Sequence, residues 1–438
     1  MLSISRRQFL QQSAGAAAGL LVGAEALAQF EILSFSGDIP IVQNYTNSTT
    51  AQFTILTEGA YPYTYVISDS DGKSLPWSFT EQFYQNGFFD FGIDKIFVPN
   101  LQLEKTYRLK VLNKKNGRVL DERKFKSLDV DNQRPFKVAA VSCACDFFAI
   151  QSAAMWNGLY KHRPDVILMV GDTCYADLGA KGTPSDIWRR YCETRLTLMQ
   201  FRQSFLIPTL ATWDDHDFGI DNGNCHFKTK EFAKKVFLLF WGSKNQRGYS
   251  QGLGVSSTVQ LFGQSFYFMD DRSFRDTRKH GGLHWGIAQQ EALLNAMDKN
   301  TRPTWLLNGS QFFGGYLGKE SFESDHEKNF KDVLKKLSKK ESPIIFLSGD
   351  VHFSEVMRIE ERVLGYKTVE ITSSSIHSAT FPGVDNLRNP RRIVSTWHFN
   401  FVIIESSYNK STREWQLTSK SYNNKNQRLF SNTALIKR

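Results

Sequence analysis

The sequence predicts an α/β protein whose α/β region is preceded by an all-β region of immunoglobulin or fibronectin type. Three observations carry that expectation. Residues 30 to about 130 read as a succession of strands and tight turns, and after Phe136 strands alternate with helical stretches. Within this second region, four apolar strand-like runs each stop on residues that bind metals: FKVAAVSCAC (136–145), DVILMVGDTCYAD (165–177), PTLATWDDHD (208–217) and PIIFLSGDVH (343–352).

Taken in order, the chain of 438 residues divides into three parts, and its length suits a large α/β domain plus a smaller one. Residues 1–28 read as a removable export signal. Ser5-Arg6-Arg7-Gln8-Phe9-Leu10 is a twin-arginine signature, followed by the weakly apolar GAAAGLLVGAEALA and an Ala26-Leu27-Ala28 cleavage pattern, which places cleavage before Gln29. The apolar run from Ala14 to Val22 is too short to span a membrane. The expected partner is therefore the twin-arginine export machinery, the expected location is periplasmic or secreted, and no stable membrane span is expected. Export of an already folded chain suits a protein that loads its metal first.

Residues 29–131 are expected to form the N-terminal β-sandwich. QFTILTEGAY, YTYVISDSDGK and KIFVPNLQLEKTYRLKVLNKKNGR are rich in β-branched and aromatic residues, with turns at Ser-Asp-Gly and Lys-Asn-Gly. The segment holds no His and no Cys, which makes it a poor place for a catalytic centre. Residues 132–438 form the third part. Helices are expected near 149–161, over 186–205, near 228–242, over 286–298 and over 321–339, and the C-terminal third is again rich in strands.

Charge and cysteines narrow the class. The formal net charge is +10, with the basic residues scattered over a solvated surface, so a steering role toward anionic substrates is the functional alternative. No aromatic RNP strand or zinc-finger spacing is present, so no nucleic-acid-binding module is expected. The five cysteines have no framework spacing, which argues against a disulfide scaffold.

The strand ends carry the chemistry. Gly171-Asp172 lets the backbone turn sharply while the carboxylate points beyond the sheet edge, where one Asp can bridge two cations. Asp214-Asp215-His216-Asp217 adds carboxylates and an imidazole. Asp350 and His352, two apart, share a face if the chain there is extended. With the Cys143 thiol and Tyr175, these residues are the inventory of a multi-metal hydrolytic centre.

At these residues the chain resembles the alkaline phosphatase D family, within the calcineurin-like metallophosphoesterase superfamily. The superfamily pattern runs DxH, GD, GNH[DE] and GHxH. Here Ser142-Cys143 stands at the first position, Gly171-Asp172 matches the second, Asp214-Asp215-His216-Asp217 stands for the third and Gly349-Asp350-Val351-His352 for the fourth. The stretches DIWRRYCETRLT and MDDRSFRDTR and the β-rich region ahead are also similar, so the likeness covers nearly the whole chain after the signal.

The resemblance implies an α/β/β/α sandwich of two packed sheets. It also implies hydrolysis of small-molecule or polymeric phosphate esters, mono- and/or diesters, by attack of a metal-activated hydroxide. It implies Fe(III) held by Cys143, Asp172, Tyr175 and His352, and Ca(II) bound by oxygens, with Asp172 bridging and Asp215 and Asp350 contributing. Phenolate and thiolate suit iron, and carboxylates suit calcium. His216 aligns with the superfamily histidine that contacts substrate, and is the expected catalytic residue.

Some assignments stay open at this level. Asp214 and Asp215 compete for one ligand position. The superfamily's further histidine is missing, so Asn308 or Gln311 replaces it or no ligand comes from that strand. Arg272 and Arg275 either clamp phosphate or sit in structural salt bridges, and His377 and His398 read as structural or surface histidines. Two rival functions stand beside the main one. The first is a dedicated phosphodiesterase or phospholipase D-like enzyme acting on phospholipid head groups, nucleotides or teichoic-acid-like polymers. The second is a non-catalytic, metal-containing binding protein.

Overall fold

Two large sheets lie back to back and bring their strand ends to one edge. In the computed structural model, the described residues are 38–85, 89–244, 246, 248, 254–277, 282–314, 316 and 320–438. The twin-arginine motif and the Gln29 cleavage point lie outside them. Among the described residues no helix is long and apolar enough to cross a membrane.

The first large sheet has six strands in the order Thr209–Thr212, Val166–Val170, Phe136–Val141, Phe401–Asn409, Glu414–Tyr422 and Arg428–Lys437. The first three run parallel, and the C-terminal strands add to Phe136–Val141 antiparallel. The second has seven, in the order Ser257–Leu261, Gln264–Phe268, Thr304–Leu307, Ile344–Ser348, Thr368–Thr372, Ser354–Ile359 and Arg392–Thr396.

Strand alternation explains why the site-bearing runs are apolar throughout. Ala139, Val141, Ile167, Met169 and Ala211 face the helices Ala149–Lys161, Pro184–Thr197 and Lys230–Trp241, packing on Trp156, Trp188 and Phe237. Val138, Ala140, Leu168, Val170 and Leu210 join the second sheet's Phe266, Trp305 and Leu307 in one core. Both faces are buried, so no polar register survives. The helices Gly286–Asp298 and Glu327–Leu337 add Leu293, Met297, Phe330 and Val333 to the same core.

The N-terminal region contributes two four-stranded antiparallel sheets, which bury Phe53, Ile55 and Ile96 against Tyr65, Leu109 and Phe125. It is tied to the rest of the protein. Arg123, ion-paired with Asp121 at 2.7 Å, donates to the Gln203 carbonyl at 2.8 Å, and Val42, Leu56, Phe91 and Ile93 share the core of the helical face.

Three local expectations are corrected. The helix read over 186–205 ends at Thr197 and gives way to a 3-10 turn over Met199–Arg202. Thr183 caps its start, accepting the Asp186 N–H at 3.3 Å, with Pro184 in the first turn. The helix read over 321–339 is broken at His326 into Phe322–Asp325 and Glu327–Leu337. The segment from Asp350 to His352 is not extended: both residues hold left-handed backbone, with φ of 66° and 60°, so the shared-face argument fails there.

Candidate metal centre

The two sheets meet where the glycines of the strand ends allow it. A Cβ on Gly349, after the second-sheet strand Ile344–Ser348, would lie 2.3 Å from the Val170 carbonyl oxygen and 2.6 Å from Ser142 on the first sheet. Gly171, with φ of 84°, is packed against Asp214, whose Cβ would be 2.7 Å away. Only glycine permits both approaches, and together they converge the four motifs.

The residues that follow the strands sit in strained backbone. Cys143 (φ 55°), Asp172 (φ 52°), Asp350 and His352 all occupy the left-handed region. Such conformations cost about 1–3 kcal/mol each for non-glycine residues and persist where the surroundings over-determine them. Here four of them gather at one place.

Two clusters share one carboxylate. The ligand atoms of Cys143, Asp172 and His352 lie within 4.8 Å of one another, and so do those of Asp172, Asp215 and His216. Cys143 Sγ is 3.4 Å from Asp172 Oδ2 and 3.0 Å from Ser374 Oγ. The Tyr175 hydroxyl is 3.5 Å from the same Asp172 oxygen, and its ring stacks on His216 with centroids 4.1 Å apart. The imidazole of His352 has its Nδ1 2.6 Å from the Ala379 carbonyl oxygen, which fixes a proton on Nδ1.

Asp215 is bracketed by backbone donors, the His216 N–H at 2.8 Å and the Asn222 N–H at 2.7 Å. Asp350 falls outside both three-residue clusters, with its main-chain oxygen 3.6 Å from Cys143 Sγ, but its charge is felt by Asp172 and Cys143.

The electrostatics of this centre fit a cation. Burial, then the charges of Asp215, Asp217 and Asp350, push the Asp172 carboxyl well up against the opposing influence of His216. Burial and Asp172 do the same to the Cys143 thiol, and burial, Cys143 and Asp172 to the Tyr175 phenol. Burial also raises Asp215, but Arg272, His216 and two N–H bonds outweigh it and hold that carboxyl below its usual range. Asp172 Oδ1 is buried with no hydrogen bond. Acids, thiol and phenol so placed ionise together when positive ions stand between them.

His216 has a partner that the sequence reading did not assign. Its Nδ1 lies 2.8 and 2.9 Å from the two oxygens of Asp177. Burial lowers the affinity of this ring for a proton, and Asp172, Asp177 and Asp215 outweigh it, raising the pKa to about 10. Asp177 stood in plain view two residues past Tyr175. Asp217 is a positioning residue: its carboxylate accepts from Thr173 Oγ1 at 2.5 Å, from Cys174 N at 2.9 Å and from Asp214 N at 3.0 Å.

The remaining candidates differ in their contacts. Asp214 turns away from the clusters to Arg272, whose Nε is 2.5 Å from its Oδ1. Arg272 is fully buried and also pairs with Glu320 at 2.8 Å, while Arg275 pairs with Glu320 at 3.0 Å and with Asp325. Both guanidiniums sit in a buried ion-pair network, as the salt-bridge alternative for Arg272 and Arg275 has it.

Asn308 accepts from Trp285 Nε1 at 2.9 Å and donates to Asp271 at 3.0 Å. Gln311 donates to Glu355 at 2.8 Å and to Thr372 at 3.0 Å. Neither replaces the missing histidine ligand in these contacts. His377 is structural, accepting from Trp156 at 3.0 Å with its other nitrogen on the Cys145 carbonyl. All five cysteines are free thiols.

This architecture, a pair of packed α/β sheets with an all-β region ahead, has a counterpart of known structure. The chain aligns with a solved structure described as "Structure of PhoD" over 92% of its own length and 94% of the other, with a TM-score of 0.67 and 15% identity. The protein has the PhoD fold. An amylomaltase from Corynebacterium glutamicum (11% identity, 39% and 27% coverage) and a cyclomaltodextrinase (8% identity, 71% and 60% coverage) align with TM-scores of 0.18 and 0.19 and carry no argument. No family model matches the sequence, and no curated protein does.

Proposed function

We propose that the protein is an exported metal-dependent phosphoesterase of the alkaline phosphatase D type, acting on phosphate mono- and/or diesters. The observation that carries this reading is the shared Asp172: one buried carboxylate belongs to both ligand clusters and keeps an oxygen without a hydrogen bond. Cys143, Tyr175, Asp172 and His352 would hold Fe(III), and Asp172, Asp215 and Asp350 would hold Ca(II). The thiol and phenol suit the first ion and the oxygens the second. When bound, the cations supply charge neutralisation at the phosphoryl oxygens and lower the pKa of water.

The chain's own residues do the rest. Asp177 holds the Nδ1 proton of His216, so Nε2 is the nitrogen turned to substrate, where a protonated ring donates to the departing alkoxide. Cations seated on Asp172 offset that residue's pull on the imidazole, whereas the Asp177 hydrogen bond is independent of them. Stacking on Tyr175 fixes the plane of the ring. In this proposal residues 29–131 form the N-terminal β-sandwich domain, and residues 1–28 the twin-arginine signal.

The test is turnover of a phosphate monoester and of a bis-ester by the purified mature chain, with its metal content measured alongside. Hydrolysis that falls about 10²–10⁴-fold in His216→Ala while bound metal is retained supports the assignment. Absence of turnover on both esters, or loss of metal in that variant, contradicts it. A strong excess on the bis-ester would favour the dedicated phosphodiesterase.

A further inference from the structure

Away from the Asp172 clusters, a second set of ligand-type side chains comes together. We propose that Cys225, His226 and Asp276 form a peripheral site for a zinc-class divalent cation that fastens the segment following His216 to the segment following Arg272. Their thiol, imidazole and carboxylate ligand atoms lie within 4.8 Å of one another, and none of the three belongs to the centre described above. A thiolate with an imidazole and a carboxylate is a donor set for zinc or cobalt, and the thiolate disfavours calcium and magnesium.

The backbone assembles this site before any ion arrives. The Cys225 N–H donates to the Arg275 carbonyl at 2.9 Å, so the two segments, 50 residues apart, are already joined one residue from Asp276. The Asp276 N–H is held by the Leu283 carbonyl at 3.0 Å, and its own carbonyl lies 3.0 Å from His326 Nε2. Little ordering remains to oppose binding.

The charges also ask for a cation. Burial, then the neighbouring Asp276 carboxylate, push the Cys225 thiol up, and Lys230 works in the other direction. The Lys230 ammonium is anchored on the Cys225 carbonyl at 2.6 Å. An ion between sulfur and carboxylate removes their conflict, and the thiol proton passes to solvent as the metal binds. Cys225 also lines a surface cavity of about 320 Å³, together with Lys230, Ser273 and Phe274.

The consequence reaches the main centre through Asn222, whose N–H holds the Asp215 carboxylate. Fixing Cys225 and His226 fixes the end of the loop that carries Asn222. The site does not depend on the phosphoesterase reading.

Cobalt is the probe. The purified mature chain, with its native metals in place, is titrated with Co²⁺ and followed by the near-ultraviolet thiolate-to-cobalt band and by bound-metal stoichiometry. The wild type is expected to take up one Co²⁺ more than Cys225→Ser at micromolar free metal, with the band lost in that variant and retained in Cys143→Ala. Asp276→Asn should weaken the same uptake at least tenfold, and circular dichroism checks that each variant is folded. Equal stoichiometry in wild type and Cys225→Ser, or uptake confined to millimolar Co²⁺, would overturn the proposal.

Discussion

Two buried charge clusters lie side by side in this protein, and neighbouring residues in the sequence supply one to each. Asp214 enters a network with Asp271, Glu320 and Asp325 that holds its own cations, Arg272 and Arg275. Asp215 enters a cluster with Asp172 and His216, where the positive charge against Asp172 comes from His216 and Asp215 also feels Arg272. Both Asp214 and Asp172 keep a buried oxygen without a hydrogen bond, but Asp214 has the Arg272 charge beside it. The difference teaches what each cluster is for. An internally neutralised network is costly to break because it leaves a buried charge unpaired, whereas buried acids with fewer cationic side chains beside them suit an added positive ion.

The most severe way to break this comparison is Asp172→Asn. It removes the shared carboxylate from both ligand sets, and we expect phosphoesterase activity to fall by about 10³-fold or more, measured as kcat/KM on a phosphate ester. Second comes Asp214→Ala, which leaves Arg272 buried beside fewer acids and should cost about 3 kcal/mol in denaturant unfolding. Bound metal should survive in that variant as long as it is folded. The mirror substitution, Asp215→Ala, should lower metal content with a smaller loss of stability. If the two variants behave alike, the division between the clusters fails.

The smallest effect sharpens one member of the centre. Asp177→Asn removes the carboxylate that holds the His216 proton and should lower activity about tenfold, in line with the loss of other orienting partners. The sign of the pH effect follows. Asp177 raises the pKa of His216, so without it the ring gives up its proton at lower pH, and a reaction needing the protonated ring loses its alkaline limb earlier. An unmoved alkaline limb would mean that His216 does not act as the acid.

Much of this was legible in the sequence because the signal was local. The apolar runs ending at Val141, Val170, Thr212 and Ser348 gave away both the strands and the residues beyond them, and the helix at 286–298 has the bounds its periodicity predicted. What stayed hidden was set by distant contacts. Asp214 and Asp215 are chemically identical until Arg272, 58 residues on, claims the first. Asp350 and His352 are two apart, but left-handed backbone at both cancels the strand rule that would have paired them. His326 interrupts a helix whose apolar spacing runs on past it, because the break brings His326 against His284 at 3.3 Å and the Asp276 carbonyl at 3.0 Å. Cys225, His226 and Asp276 were invisible as a group because a helix and two strands separate the first two from the third, and only the fold brings the two segments together.

The central claim is that Asp172 serves two ions at once. Elemental analysis of purified wild type and Asp172→Asn, each exported and folded in the same way, tests it directly. Both iron and calcium are expected in the wild type, and a loss of both in the variant. Retention of either ion at full occupancy in Asp172→Asn would contradict it.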